Sequence, residues 1–578
     1  MSHTPNFDKA LDVILKDLKP HKRTCQQCGG DFEIFKEDIE FYHMLRVPPP
    51  TFCPECRKQR RFVFSNNMMF YKRPCDAPGH TEWMISLFPE NIPHKVFDHH
   101  YWWGDEWDPM RYGIKWDSSL PFFEQFRGLF YRVPLIQSNR DPRSEASEYT
   151  AYGLELKNCY YVFGGIKSED IWYGNWPINS RDCMDVFIAW NSESCYEIVA
   201  SKDNHNCAYI YFSDGCMDSR FLYDCKNCSY CFGCVNLRNK KYHFFNQPLT
   251  KEAYEQKMRE MRVGSRSELL RLQREFWTFV GKNFRRATRN ENVVHATGTL
   301  LRNCKNCFMC FWVESGENLR YVDYSLPIKD SMDITIAGAG GGMERMYEIV
   351  NAATYDIKFS HYVRQSSHSV EYSINCLNCE HCFGCVGLRN KKFCIFNRQY
   401  SEDEYWKLAD ETKTRMLERG EYGEFFPISM SPYPYNASLA QLEFPRTKTE
   451  VEGLGGYWAE PPISLDGVDP QTILRAPERL PDDIKDVDDG ILEKVIVCET
   501  TGKPFRIIKQ ELEFYRKHDL PLPTKHPYQR LIERFAMKTP FRLWQYPCAK
   551  CGKETYTSYD PALKLTVYCE ECYKRKVI

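Results

Sequence analysis

Eight cysteines stand in the spacing that grips a metal ion: Cys25-x-x-Cys28 with Cys53-x-x-Cys56 near one end, and Cys548-x-x-Cys551 with Cys569-x-x-Cys572 near the other. Tetrahedral zinc takes four soft donors, and two such pairs close a loop around it while the segment between packs a small core. Gly29 and Gly552 directly follow the first pair, as a knuckle turn requires. Two Zn2+ ions per chain are therefore expected.

Basic residues follow each closing pair. Arg57, Lys58, Arg60 and Arg61 should open a helix after Cys56 with Phe62 and Phe64 interleaved, and Lys574, Arg575 and Lys576 follow Cys572. On a zinc-fixed helix such side chains can meet phosphates at little ordering cost, so RNA or the ribosome is an expected partner. A solvated basic face is the alternative. Cys75, Gly79 and His80 repeat the Cys-x-x-x-Gly rhythm and read as a knuckle without metal; the functional alternative joins Cys75, His80, His99 and His100 in a site.

The chain duplicates itself twice. Its ends match without a gap at an offset of 473 positions: Cys25, Gly29, Phe32, Glu40, Phe41, Tyr42, Pro48 and Thr51 recur as Cys498, Gly502, Phe505, Glu513, Phe514, Tyr515, Pro521 and Thr524. Thr501, His526 and Gln529 stand where Cys28, Cys53 and Cys56 do, so the C-terminal copy is expected to keep the fold and lose the metal. In the middle, Cys225, Cys228, Cys231, Cys234 and the following Leu237 to Lys240 recur as Cys376, Cys379, Cys382, Cys385 and Leu388 to Lys391.

Inside the first middle copy Cys159, Ile171, Cys183, Cys195, Cys207, Ser219 and Cys231 fall twelve residues apart. Two such beats would make a coil of about two dozen residues, near the length of a parallel β-helix turn, with small residues stacked inside. The fold class expected is mainly β with α: treble-clef and zinc-ribbon modules flank two duplicated parallel β-solenoids, joined and capped by helices. The divisions fall at 1–70 (treble clef), 71–150 (degenerate knuckle and aromatic wrap), 151–262 (first solenoid and cap), 263–300 (helical connector) and 301–425 (second solenoid and cap). Beyond them lie 426–490 (a Pro, Gly and acidic linker, wrapped over something or mobile), 491–540 (metal-free treble clef) and 541–578 (zinc ribbon).

Whether the middle cysteines only pack, hold further zinc or hold an iron-sulfur cluster is open from sequence, although Ile171 and Ser219 on the same beat cannot be cluster thiolates. Arg238, Lys240 and Lys241, mirrored by Arg389, Lys391 and Lys392, are phosphate clamps or solvated corners.

The stretch Cys25 to Arg61 resembles the zinc-ribbon, treble-clef domains, and Cys548 to Tyr573 resembles the short CxxCGK…YCxxC ribbons. The whole chain, including YWWGDEWDP and CFGCVNLRNKKY, is similar to a large cysteine-rich family of candidate-phyla bacteria. The resemblance implies zinc at the eight named cysteines and the fold at both ends, and says nothing of activity.

A formal charge of -1 gives no whole-molecule attraction to nucleic acid, and 43% hydrophobic content is ample for cores. Met1 to Lys22 lacks the basic start and unbroken apolar run of a signal peptide, and no run is long enough for a membrane span. A cytoplasmic chain is expected, whose 27 cysteines are ligands or small hydrophobes and not disulfides. The expected function is non-enzymatic: a zinc protein that binds RNA, the ribosome or another macromolecule, or an architectural protein-protein scaffold with purely structural zinc. A β-helix enzyme is the third reading, but Asp105, Glu106 and Asp108, or Asp98, His99 and His100, assemble no nucleophile, base and orienter.

Overall fold

From Asn158 to Phe245 every third residue takes a left-handed backbone, including side chains as unsuited to it as Ile188, Tyr209 and Phe221. Each costs roughly 1 kcal/mol. What offsets that cost is a ladder: the Ile178 N–H donates to the Ala189 carbonyl and the Asn191 N–H to the Ile178 carbonyl, both at 2.8 Å. The chain turns a corner every three residues and meets itself again after twelve.

The computed structural model describes residues 2–338, 342–460, 463–475 and 477–577. It is a mixed α and β chain with two ten-stranded sheets, one from Thr150–Ala151 to Gln247–Pro248 and one from Glu291–Glu314 to Arg398–Gln399. In the first, strands lie in sequence order and pair in parallel except at the last hairpin: Ile171 faces Cys183, Cys183 faces Cys195, and Cys231 faces His243. The twelve-residue beat is thus the pairing register itself. The expectation of about two dozen residues per coil is corrected, because one beat already returns the chain to its neighbour.

In the first sheet the residue after each corner points inward. Leu156, Cys159, Val162, Ile171, Cys183, Val186, Cys195 and Ile198 are buried together in one cluster, and Ser168, Ser180 and Ser192 occupy the same phase. Small side chains suit these positions because corners only three residues apart leave little room between them. The second sheet starts with the same step, Cys307 to Leu319 to Ser331, then pairs Met332 with Tyr347, Tyr347 with Lys358 and Lys358 with Glu371 before the twelve-residue step returns at Val370 and Cys382.

Helices follow where the sequence signals them. Ser401 and Glu404 form a capping box on Glu402–Glu418, Thr250 caps Lys251–Glu260, and Ser265 caps Arg266–Lys282, whose Leu269, Leu272, Phe276 and Val280 are buried. The amphipathic Pro5–Leu15 buries Phe7, Leu11 and Leu15, and Asp410 of the Glu402–Glu418 helix accepts the Asn6 and Phe7 N–H groups. Trp102, Trp107, Trp116, Phe122 and Phe126 are core, not an exposed contact face. The first part of the 426–490 stretch is also packed: Phe426, Tyr433, Tyr435 and Leu439 are buried, and the Leu439 N–H donates to the Ser65 carbonyl at 3.0 Å.

His361 and His94 lie in this interior with neither ring nitrogen hydrogen-bonded among the described residues. Burial holds both down to about 3, and Arg73 adds to the effect at His94. Their folded values lie below that of a free imidazole, about 6.5, so the unfolded chain takes up protons first on acidification. The resulting stability is complete above about pH 6.5 and is lost as the pH falls towards 3, on the order of 2–3 kcal/mol per histidine by pH 4.5. Urea unfolding at pH 7 and pH 4.5 should show His361→Leu losing less on acidification than the wild type; equal losses would contradict the assignment.

Candidate metal centres

Four places in the chain share one backbone frame. Each has an antiparallel hairpin, a cysteine at the end of its first strand and a glycine four residues on with φ between 69° and 80°: Cys25 with Gly29, Cys75 with Gly79, Cys498 with Gly502, and Cys548 with Gly552. In each, the N–H after the cysteine donates to a carbonyl two residues before the following helix's first cap position: Gln26 to Thr51, Asp76 to Val96, Glu499 to Thr524 and Ala549 to Val567, at 2.9 to 3.2 Å. Those cap positions are Cys53, Asp98 and His526, with Cys569 directly before Glu570–Val577. The knuckle sulfur accepts the backbone N–H of that residue at three of them, at 3.2 Å for Cys53, 3.3 Å for Asp98 and 3.3 Å for Cys569.

Two of the frames carry four cysteines. The sulfurs of Cys25, Cys28, Cys53 and Cys56 all lie within 4.8 Å of one another, as do those of Cys548, Cys551, Cys569 and Cys572. Cys28 and Cys53 are 3.9 Å apart and Cys551 and Cys569 3.8 Å. A tetrahedron with bonds of about 2.3 Å to sulfur has edges of about 3.8 Å, so both groups fit one metal ion each. Cys53 is held to about 5, chiefly by its hydrogen bond with Cys56, while Cys56 is raised by that same bond and by burial. Four thiolates this close cannot all ionise without a cation to share, which is what a metal supplies.

The basic residues after the first cluster are not where the sequence reading put them. In the Pro54–Phe62 helix Arg57, Lys58, Arg60 and Arg61 are all 4% exposed or less. Arg57 Nε donates to Asp333 at 2.9 Å; Arg61 Nη1 bonds Asp333 at 3.1 Å and Glu348 at 2.9 Å. Arg60 bonds Glu424 at 2.8 Å and Glu348 at 3.2 Å, and the Lys58 ammonium donates to the Phe541 carbonyl at 3.1 Å. Their expected role as phosphate contacts is corrected: the second sheet, together with Glu424, supplies the acids that neutralise them. Asp323, near Lys58, has its carboxyl raised to about 6 because burial outweighs Lys58 and Arg61. Lys574, Arg575 and Lys576, by contrast, are exposed on the last helix.

The C-terminal copy of this frame repeats the clamp. At the same 473-position offset Arg57 becomes Arg530 and Arg61 becomes Arg534, on the helix Pro527–Met537. Both pair with Asp185 of the first sheet, Arg534 at 2.7 Å, and Arg530 also reaches Glu511 at 3.2 Å. Cys498 and His526 remain of the ligand set; the His526 ring accepts the Tyr528 N–H at 3.0 Å and is held down to about 4 by burial. Phe505, Leu512, Phe514 and Tyr515 are buried there, as expected. Asp185, Asp333, Glu348, Arg530 and Arg534 were missed in the sequence, although the offset that aligned the cysteines also aligns the arginines.

The middle cysteines donate to main-chain carbonyls. Cys183 Sγ reaches the Arg181 and Ser192 carbonyls at 3.1 and 3.6 Å, and Cys225, Cys376 and Cys385 repeat the pattern two residues back and nine ahead. Burial pushes the Cys159 thiol up to about 12. Among the described residues Cys225 to Cys234 and Cys376 to Cys385 do not bring three or more sulfurs within 4.8 Å of one another. Arg238 bonds Asp224 at 2.9 Å and Arg389 the Trp103 carbonyl at 2.8 Å, so these repeated arginines are tied inward. Of the candidate carboxylates, Asp98 and Asp108 cap short helices.

A scan against known protein families returns no match, and a search of curated proteins returns none. What stands of the resemblance drawn from sequence is the pair of four-cysteine clusters near the ends.

The C-terminal cluster is backed by a small core of Ala287, Tyr559 and Val567, whereas the N-terminal one adjoins the largest core and the arginine clamp. Binding energy at a structural site of this kind is on the order of 10 kcal/mol. Cys25→Ser and Cys548→Ser should each lower bound metal by one equivalent in elemental analysis. Chelation should open residues 544–577 to limited proteolysis before residues 21–62; the reverse order, or no change, would contradict this account.

Proposed function

We propose that the chain is a non-enzymatic, zinc-organised scaffold that works by binding another macromolecule. In this reading each parallel sheet is a four-sided β-solenoid, each four-cysteine cluster holds Zn2+, and the treble clefs at the two ends act as clasps, one on each solenoid. The observation that carries it is the repeated clamp, Arg57 and Arg61 on Asp333 and Arg530 and Arg534 on Asp185, all buried. A zinc-fixed helix whose arginines are neutralised from within supports an architectural role for the metal. The free cysteines support a reducing compartment such as the cytoplasm.

A second reading rests on Lys574, Arg575 and Lys576, which are solvent-exposed on a helix anchored by Cys569 and Cys572. This is the surface through which RNA or the ribosome would be met.

Removing Asp333 or Asp185 leaves two buried guanidinium groups with one remaining acid, Glu348 or Glu511, a loss of about 3–5 kcal/mol. Asp333→Ala should therefore lower the chemical-denaturation midpoint sharply, and Asp185→Ala likewise at the other clasp. In gel-shift titrations against salt, any RNA affinity should fall with Lys574, Arg575 and Lys576 changed together to Ser, and be untouched by Arg60→Gln. A folded Arg57, Arg61 double variant that keeps its midpoint and loses RNA binding would overturn the scaffold reading.

A further inference from the structure

The second of the four frames does not keep the four-cysteine set. We propose that Cys75, His80, Glu82 and Asp98 form a third metal site, which takes one divalent first-row transition ion, Zn2+ foremost, through a thiolate, an imidazole nitrogen and two carboxylates. This goes beyond the scaffold reading and does not depend on it.

The four donor atoms lie within 4.8 Å of one another. Cys75 Sγ and His80 Nδ1 each stand 3.5 Å from Asp98 Oδ2. Ligand bonds of about 2.0–2.3 Å around a tetrahedral ion put donors about 3.3–3.8 Å apart, so Asp98 already stands at ligand separation from both Cys75 and His80. Glu82 Oε1 is closer to His80 Nδ1, at 2.5 Å, and its side chain is 55% exposed, free to swing the short distance into a ligand position. The other oxygen of Asp98 accepts the His100 and Tyr101 N–H groups at 2.8 and 3.1 Å. Those bonds fix the carboxylate and aim Oδ2 at the cluster, as outer-shell bonds do for metal ligands.

The placement within the frame is the independent argument. Cys75 sits where Cys25 and Cys548 sit, and Asp98 where Cys53 and Cys569 sit, with the same N–H to sulfur bond. The other two ligand positions are lost, to Pro78 and Tyr101. The hairpin is longer here: the Cys75 N–H donates to the carbonyl of Glu82, seven residues on, instead of the five seen in the other three frames. The added length carries His80 and Glu82 back over the knuckle, so two ligands from the hairpin tip stand in for the two that were lost. The Cys498 frame underwent no such exchange, and among the described residues it gathers no third donor. The sequence alternative of a site with His99 and His100 is corrected: the His99 N–H donates to Gln137 at 3.0 Å and its ring lies in the interior, while His100 is exposed.

One thiolate among nitrogen and oxygen donors makes a harder site than four thiolates do, and His80 and Glu82 are both accessible to water. The ion is expected to exchange readily and to leave under mild chelation that spares the two four-cysteine clusters. The competing account is a metal-free network, with the Cys75 thiol donating to Asp98 and a protonated His80 between Glu82 and Asp98.

The full-length chain, saturated with Zn2+ and then with Co2+ and desalted, distinguishes them. The wild type should hold one metal equivalent more than His80→Ala and than Glu82→Ala, whatever the two four-cysteine clusters hold. Neither variant touches the helix cap. The Co2+ difference spectrum between wild type and variant should carry d–d bands of a mixed sulfur, nitrogen and oxygen site, at shorter wavelength than those of an all-thiolate site. Equal metal content in wild type and both variants, with no difference spectrum, would overturn the proposal.

Discussion

A left-handed corner at every third residue is the constraint from which most of this molecule follows. It makes the chain meet itself after twelve residues, so each peptide group can be satisfied by the neighbouring turn. It leaves an interior so narrow that Cys, Ser, Val and Ile fill it, which is why a chain with 27 cysteines uses many of them as packing. The corners themselves are lined with Asn and Asp where solvent allows, since their short polar side chains tolerate that backbone best. Asp185 and Asp333 are corner residues too, with φ of 57° and 59°, but buried ones, and each presents its carboxylate outward from its sheet to a pair of arginines. The clasp therefore exploits a position the ladder already requires.

Burying these ions is expensive, and the arrangement answers that cost by sharing. One carboxylate serves two guanidinium groups, and Glu348 and Glu511 supply the second acid at their respective clasps. Burial raises Glu348 despite Arg61 and Arg60 beside it, and it raises Glu511 despite Arg530. Specific docking is what such a pair provides: a helix bearing two arginines one turn apart can seat on a sheet in one register only.

Much of the architecture was legible because periodicity and duplication survive in sequence. The ligand cysteines announce themselves by spacing, and the twelve-residue beat is the register written out in small residues. The coil length was misjudged because a β-helix turn is ordinarily longer; only the pairing register and the corner dihedrals, invisible in residue types such as Ile188 or Tyr209, show that one beat brings the chain back beside its neighbour. The basic helix was misread for a different reason. Charge in sequence carries no sign of burial, and the acids that neutralise Arg57 and Arg61 lie more than 270 residues away. Glu82 escaped notice because carboxylates are common and only a hairpin two residues longer folds it back over Cys75, and Asp98 was read with His99 and His100 because its place at the helix cap opposite Cys75 shows only in the fold.

The unequal steps of the second sheet show how such a ladder tolerates change. Met332 pairs with Tyr347, fifteen residues on, and Tyr347 with Lys358, eleven on, yet inward residues still meet inward ones: Ile334 faces Ile349, and Ile349 faces Ser360. The step after it, Lys358 to Glu371, is thirteen, and Ile357 still faces Val370. Length variation in this kind of chain is thus absorbed at the corners, where left-handed residues stand five apart at Asn351 and Asp356 and four apart at Gln365 and Ser369, while the strands keep their facing partners.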